Sequence, residues 1–312
     1  MAALPDGAKP DDLRHAPDRR ATLLSVAFIV DQANISRAGG DFLEPLVSAA
    51  IVQANLAGLR HDPELQRRYG NSGDALPDSA RRPISIHAVA ESLRLPYETV
   101  RRRVHQLIDG DLCVMTPAGA YIPRAAIVGA RHAAIQAARM QRIVQLHTAL
   151  MAAGFLPPPE PATPDLAAAP VRAANTALAH YMLRTCERLV ELVGDVVDGF
   201  ILLGLVAANT ERQLGVAPGV HPRGLLARRS PCSGSDLARR LGMAGETVRR
   251  RLPVLAAAGF ARRVRGGWLV AAPPARQTEI VRAVAENQAE LRRLFSRLRE
   301  LAAANAAPRS VT

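Results

Sequence analysis

Glu98-Thr99-Val100-Arg101-Arg102-Arg103 is followed, 148 positions later, by Glu246-Thr247-Val248-Arg249-Arg250-Arg251. Working outward from these hexapeptides, the match holds in one register on both sides. Ser85, Val89, Ala90 and Leu93 stand opposite Ser233, Leu237, Ala238 and Leu241. Val104, Leu107 and Leu112 stand opposite Leu252, Leu255 and Phe260. A self-match at fixed spacing speaks for one supersecondary unit used twice. Each copy carries three arginines on a segment with helical apolar spacing, which points to nucleic acid.

The second copy is the cleaner. Ser233-Gly234-Ser235-Asp236 fits a capping box, so a short helix is expected over 235–241, ended by Gly242. A longer helix is expected over 245–258, with Val248, Leu252 and Leu255 on its core face at i, i+4 and i+7. Pro253 inside it removes one N–H and bends or weakens the helix. Gly259 stops it. Residues 260–264 form a strand, Arg265-Gly266-Gly267 a hairpin turn, and 268–270 the return strand. In the first copy the same order gives a short helix over 85–93, a longer one from Tyr97 onward, a strand over 112–115, a turn over 116–119 and a return over 120–122.

Short helix, turn, longer helix and hairpin, in that order, resemble a winged helix-turn-helix. Ser235-Asp236-Leu237-Ala238-Arg239-Arg240-Leu241-Gly242-Met243 followed by Glu246-Thr247-Val248-Arg249-Arg250-Arg251-Leu252 resembles many bacterial transcription regulators. Where that family places a capping Ser or Thr at the start of the second helix, this chain has Pro96 and Ala244. The order of helices around each core is similar to that of MarR-type regulators. That similarity implies flanking helices that form a dimer interface, here a pseudo-dimer within one chain, and a possible small-molecule effector beneath it. No residue identifies such an effector.

At 100° per residue, with Val100, Val104 and Leu107 turned inward, Glu98, Arg102, His105 and Gln106 point out, flanked by Arg101 and Arg103. In the second copy Glu246, Arg249 and Arg250 point out. A guanidinium bridges the two major-groove acceptors of guanine and also binds phosphate. The candidate DNA-contacting residues are therefore Glu98, Thr99, Arg101, Arg102, His105, Gln106, Glu246, Thr247, Arg249 and Arg250. Arg262, Arg263 and Arg265 of the second hairpin join them. The first hairpin has no Arg or Lys between Leu112 and Pro123, so the two copies differ in their expected DNA contact.

The expected fold class is mainly α with small β-hairpins: a tandem winged helix-turn-helix repeat whose flanking helices form a pseudo-dimer. Residues 1–20 are rich in Pro and charge and read as a disordered tail. A first half, 21–156, holds its core at 84–123. Within it, helices are expected over 21–36, 42–59 and 124–155, and a loop with Pro63, Gly70, Gly73, Pro77 and Pro83 precedes the core. A Pro-rich linker spans 157–170. A second half, 171–312, holds its core at 232–271, with helices over 171–193, 196–214 and 276–304. Ile51-Val52-Gln53-Ala54-Asn55 resembles Leu205-Val206-Ala207-Ala208-Asn209, so the correspondence extends upstream of the cores.

A net charge of +12 and a pI near 11.0 favour polyanions without choosing among them. Cys113, Cys186 and Cys232 are isolated, and the eight histidines are scattered, so neither a disulfide framework nor a metal site is expected. There is no Walker-type loop and no nucleophile elbow; no catalytic residue and no cofactor is expected. The N-terminal stretch lacks an apolar signal core, and the most apolar run, 199–208, is too short to span a bilayer. A cytoplasmic protein with double-stranded DNA as partner and no membrane partner follows, working as a pseudo-dimeric monomer or a homodimer. The alternative is an adaptor whose winged helices bind proteins or RNA without operator specificity. An arginine triplet on an amphipathic helix also occurs as a plain solvated face.

Overall fold

The structure, a computed structural model, describes residues 16–37, 43–58, 62–69, 74–160, 163–214 and 229–306. It is mainly helical with two small antiparallel hairpins. The chain forms two compact units, each built from separate stretches of sequence. One takes 1–31, 146–158 and 188–292; the other takes 32–145, 159–187 and 293–312. Each unit thus draws on both sides of the 157–170 segment.

The N-terminal expectation needs correction. Residues 1–15 of the expected tail lie outside the described residues, but α1 already begins at Ala16 and runs Ala16–Arg37. Pro17 falls in the first turn, where a missing N–H costs nothing, and Asp18 suits the positive end of the helix dipole. α2 follows at Leu43–Asn55. The segment after it is not all loop, because α3 occupies Pro63–Tyr69. Asp62 caps it, with Oδ1 accepting from the N–H groups of Glu64 and Leu65 at 3.0 Å each, and Pro63 enters at the first helical position. The glycines at 70 and 73 lie outside the described residues.

The unit containing the first core holds α4 (Ile86–Leu93), α5 (Tyr97–Asp109), β1 (Val114–Thr116) and β2 (Gly119–Tyr121). Ser85 caps α4 through Ala88 N at 3.1 Å, and Arg94 takes the left-handed position at its end. The single helix expected over 124–155 is two: α6 (Arg124–Val128) and α7 (Ala130–Ala152). The break is at Gly129, whose backbone is extended, φ −67° and ψ 153°. α8 (Val171–Val193) contributes to this unit as far as residue 187. Asn175 Nδ2 donates to Gln136 O at 3.2 Å, tying α8 to α7, and Gln53 Nε2 donates to Thr176 O at 3.0 Å, tying α2 to α8. Part of the Pro-rich segment is also ordered here: Asp165 caps a short 3-10 turn at Leu166–Ala168, and Leu166, Ala169 and Pro170 are buried.

The other unit holds α9 (Val196–Leu214), α10 (Gly234–Leu241), α11 (Gly245–Ala257), β3 (Ala261–Val264), β4 (Gly267–Val270) and most of the first half of α12 (Gln277–Ala306). Its core joins Ile201, Leu202 and Leu205 of α9 to Leu237, Leu241, Val248, Leu252, Leu255 and Trp268, with Val26 and Val30 of α1 packed in. Each such side chain contributes about 1.5–3 kcal/mol by leaving water. Pro253 does not break α11; it lies on the exposed face, where the lost bond is replaced by solvent. α12 docks on α1 through polar groups: Asn287 Nδ2 donates to Ser25 Oγ at 2.9 Å, and Gln288 Nε2 donates to Thr22 Oγ1 at 3.0 Å and Asp18 O at 3.1 Å. Among the described residues no helix is long and apolar enough to cross a membrane.

Candidate nucleic-acid interface

Local chemistry sets the second helix-turn-helix. Ser233 Oγ accepts from Asp236 N at 3.0 Å and donates to the Asp236 carboxylate at 2.6 Å, which holds that carboxyl below its usual range. Gly242 then takes the left-handed conformation, φ 55°, and turns the chain into α11. As expected from Pro96 and Ala244, neither α5 nor α11 has a side-chain cap. Val100, Val104 and Leu107 of α5, and Val248, Leu252 and Leu255 of α11, are buried.

The hairpins sit on these helices with matching hydrogen bonds. β1 pairs with β2 from Val114↔Tyr121 to Thr116↔Gly119, and β3 with β4 from Ala261↔Val270 to Val264↔Gly267. A third short pairing, absent from the sequence reading, adds the residue just before each capping serine: Ile84 bridges Ala120, and Cys232 bridges Trp268. Gly119 (φ +126°) and Gly267 (φ +143°) are required there twice over. Both φ values are in a region side chains avoid, and a Cβ would run into the backbone of Ile84 or Cys232.

The resemblance between 51–55 and 205–209 also acquires a cause. Asn55, at the end of α2, donates to Arg82 O at 2.7 Å and Ala120 O at 3.4 Å, and accepts from Ile122 N at 2.9 Å. Asn209 in α9 donates to Ser230 O at 2.8 Å and Trp268 O at 3.1 Å, and accepts from Val270 N at 2.6 Å. Both are 1% exposed. Each buried amide spends itself on backbone groups of a hairpin, fixing that wing to the helix behind it. Asn209→Ala orphans the Val270 N–H, so it is expected to cost about 2–4 kcal/mol, at roughly 1–3 per unsatisfied buried group. Denaturation followed through Trp268, the only tryptophan, measures this; a loss under about 0.5 kcal/mol, the usual size of a surface change, contradicts the assignment.

The expected contact residues divide by what each arginine touches. Glu98, Arg101, Arg102, His105 and Gln106 are exposed, as are Glu246, Arg249 and Arg250; Thr99 and Thr247 are half-buried. Arg101 donates to Glu98 at 2.9 Å, and Arg103 donates to Gln106 Oε1 at 2.7 Å. Arg249 makes two bonds of 2.7 Å to Glu246, whose carboxyl is pulled below its usual range as a result. Arg251 turns inward to Asp198 at 3.0 Å and Asp195 at 3.3 Å, fastening α11 to the start of α9. Among the described residues, Arg102 and Arg250 make no hydrogen bond or ion pair with protein.

In the second wing Arg262, Arg263 and Arg265 are exposed, and Arg263 lies over the Trp268 ring at 5.1 Å. The first wing presents Val114 and Met115 instead. A helix with an outward, uncompensated guanidinium beside a basic hairpin is a surface suited to a polyanion, and guanidinium forks match both phosphate and guanine edges. The chain matches no curated protein and no solved structure. Residues 224–273, which include α10, α11 and the basic hairpin, match the family model described as a DeoR-like helix-turn-helix domain, a DNA-binding module.

Proposed function

We propose that this chain is a DNA-binding transcription regulator, not an enzyme, that uses two winged helix-turn-helix modules, with cores at 84–123 and 232–271, on double-stranded DNA. The observation that carries this reading is the unpaired Arg250 on the outward face of α11, inside the segment similar to a DNA-binding domain. The duplicated-module reading is supported by the 148-residue self-match and by the parallel bonds of Asn55 and Asn209. The helix order, similar to MarR-type regulators, and the mixed origin of each compact unit favour a pseudo-dimer of the halves 21–156 and 171–312 joined by 157–170. The chain then works alone or as a homodimer, in the cytoplasm.

Fluorescence anisotropy with duplexes selected from bound genomic fragments, set against scrambled duplex at several salt concentrations, tests this. Arg250→Ala is expected to weaken binding by about 1–3 kcal/mol and relax one base pair if Arg250 reads a base. If it holds phosphate, all sequences weaken alike and the salt slope falls by about one. Arg102→Ala is expected to do less, because its wing offers no cation. The apolar first wing favours a second reading for that module, an adaptor surface for protein or RNA. Unchanged affinity in both folded variants selects that reading.

A further inference from the structure

A cavity of about 240 Å³ lies within the unit that carries the first core. At about 30 Å³ per water it holds roughly eight waters, the room of a small ligand. Among the described residues its walls are apolar at Val52, Leu107, Leu112, Ile122 and Ile135, and cationic at Arg37, Arg131, Arg139 and Arg172. Glu44 is the one carboxylate among the described lining residues.

Arg139 is the central group. Its Nε and Nη2 donate to Ser36 Oγ at 3.1 and 2.6 Å, and among the described residues its Nη1 has no partner. The hydroxyl it leans on is neutral and already donates to Gln32 O at 2.6 Å. Burial pushes the Arg139 guanidinium down to about 10, yet the side chain keeps accessible surface. The potential around it is positive enough that His132, on the same wall, is held down to about 4 by burial and by repulsion from Arg139 and Arg172. A desolvated cation with only a neutral partner is costly until an anion arrives. Asn175, also on the wall, has an Oδ1 without a hydrogen-bond partner.

We infer that this cavity binds a small organic carboxylate, its anionic end on Arg139 and its apolar body against Leu107, Leu112 and Ile122. Those last residues belong to α5 and the hairpin after it, and the Ile122 N–H is the one Asn55 holds. The ligand therefore touches the joint that sets the wing on its helix, and binding there changes DNA affinity by linkage. That consequence rests on the regulator reading above; the site itself does not.

The test is calorimetric titration of the full chain, without DNA, using benzoate and hexanoate, with benzamide and hexanamide as neutral counterparts. The expected result is saturable binding of at least one carboxylate, at least tenfold tighter than its amide. Arg139→Met is expected to lose that binding at least tenfold while melting at a higher temperature than wild type without ligand, since the buried cation is gone. Ile135→Trp, which fills the cavity and keeps Arg139, loses binding too. No carboxylate binding, equal binding of acid and amide, or wild-type binding by both variants overturns the site. Because DNA is absent, failure here leaves the regulator reading intact, and failure of the wild type to bind selected duplex strikes that reading alone.

Discussion

Gly267→Ala is expected to detach the second wing, at a cost of about 4–5 kcal/mol. Two effects add. A side chain at φ +143° is strained by about 1–3 kcal/mol. The new Cβ would also lie 2.9 Å from Ser233 N and overlap the Cys232 carbonyl, so the Cys232–Trp268 bridge must open. That bridge consists of two bonds, Cys232 N to Trp268 O at 3.1 Å and Trp268 N to Cys232 O at 2.8 Å, worth about 0.5–1.5 kcal/mol each and more if left unsatisfied. Trp268 is 9% exposed in the native wing, so its emission shifts to the red when the wing lifts. A native-like spectrum and a midpoint within about 1 kcal/mol of wild type would contradict the close approach described here. Gly119→Ala is the matched change in the first wing.

Arg251→Ala is expected to destabilise the protein by about 3 kcal/mol, at the lower end for a broken buried pair because the Arg251 side chain is 35% exposed. The loss comes from Asp198, which keeps only 6% side-chain exposure and has an Oδ1 without a partner. Burial already raises the Asp198 carboxyl above its usual value, and Arg251 opposes that rise. Without Arg251 the folded-state value climbs further above the unfolded one. A raised value means that the folded state holds its proton more tightly, so stability is lost as pH rises through the folded value and regained as pH falls. The melting gap between Arg251→Ala and wild type should therefore narrow from pH 7.5 to pH 5.5. It should nearly close in the Arg251→Ala, Asp198→Asn double variant. A gap that widens on acidification would refute the stranded carboxylate.

How much was legible in the sequence follows from how far each cause reaches along the chain. The helix-turn-helix and its hairpin depend on neighbours a few residues apart: the Ser233–Asp236 cap, Gly242 at the left-handed corner, the Val248, Leu252 and Leu255 spacing, and Gly266-Gly267 at the turn. The extra helix at Pro63–Tyr69 was equally local, since Asp62-Pro63 is a start signal, but surrounding glycines and prolines outweighed it. The break at Gly129 was harder, because a glycine within an apolar period reads either way. The start of α1 at Ala16 was hidden by charge and proline content that elsewhere marks loops.

The sequence by itself determined the helical class, the two hairpin-bearing cores and the outward face of each arginine helix, since those follow from period, caps and turn glycines. Tertiary structure alone decided what the arginines do. Arg249, Arg250 and Arg251 are chemically identical neighbours. Arg249 is neutralised by Glu246 one turn back, and Arg251 by Asp198, 53 positions away. Arg250 alone of the three is left without an ion pair among the described residues. The same holds for Asn209, whose hydrogen bonds reach 61 positions to Val270. Side-chain type sets what a group can bind, but burial and the nearest opposite charge set what it does bind, and both arise only when distant segments meet.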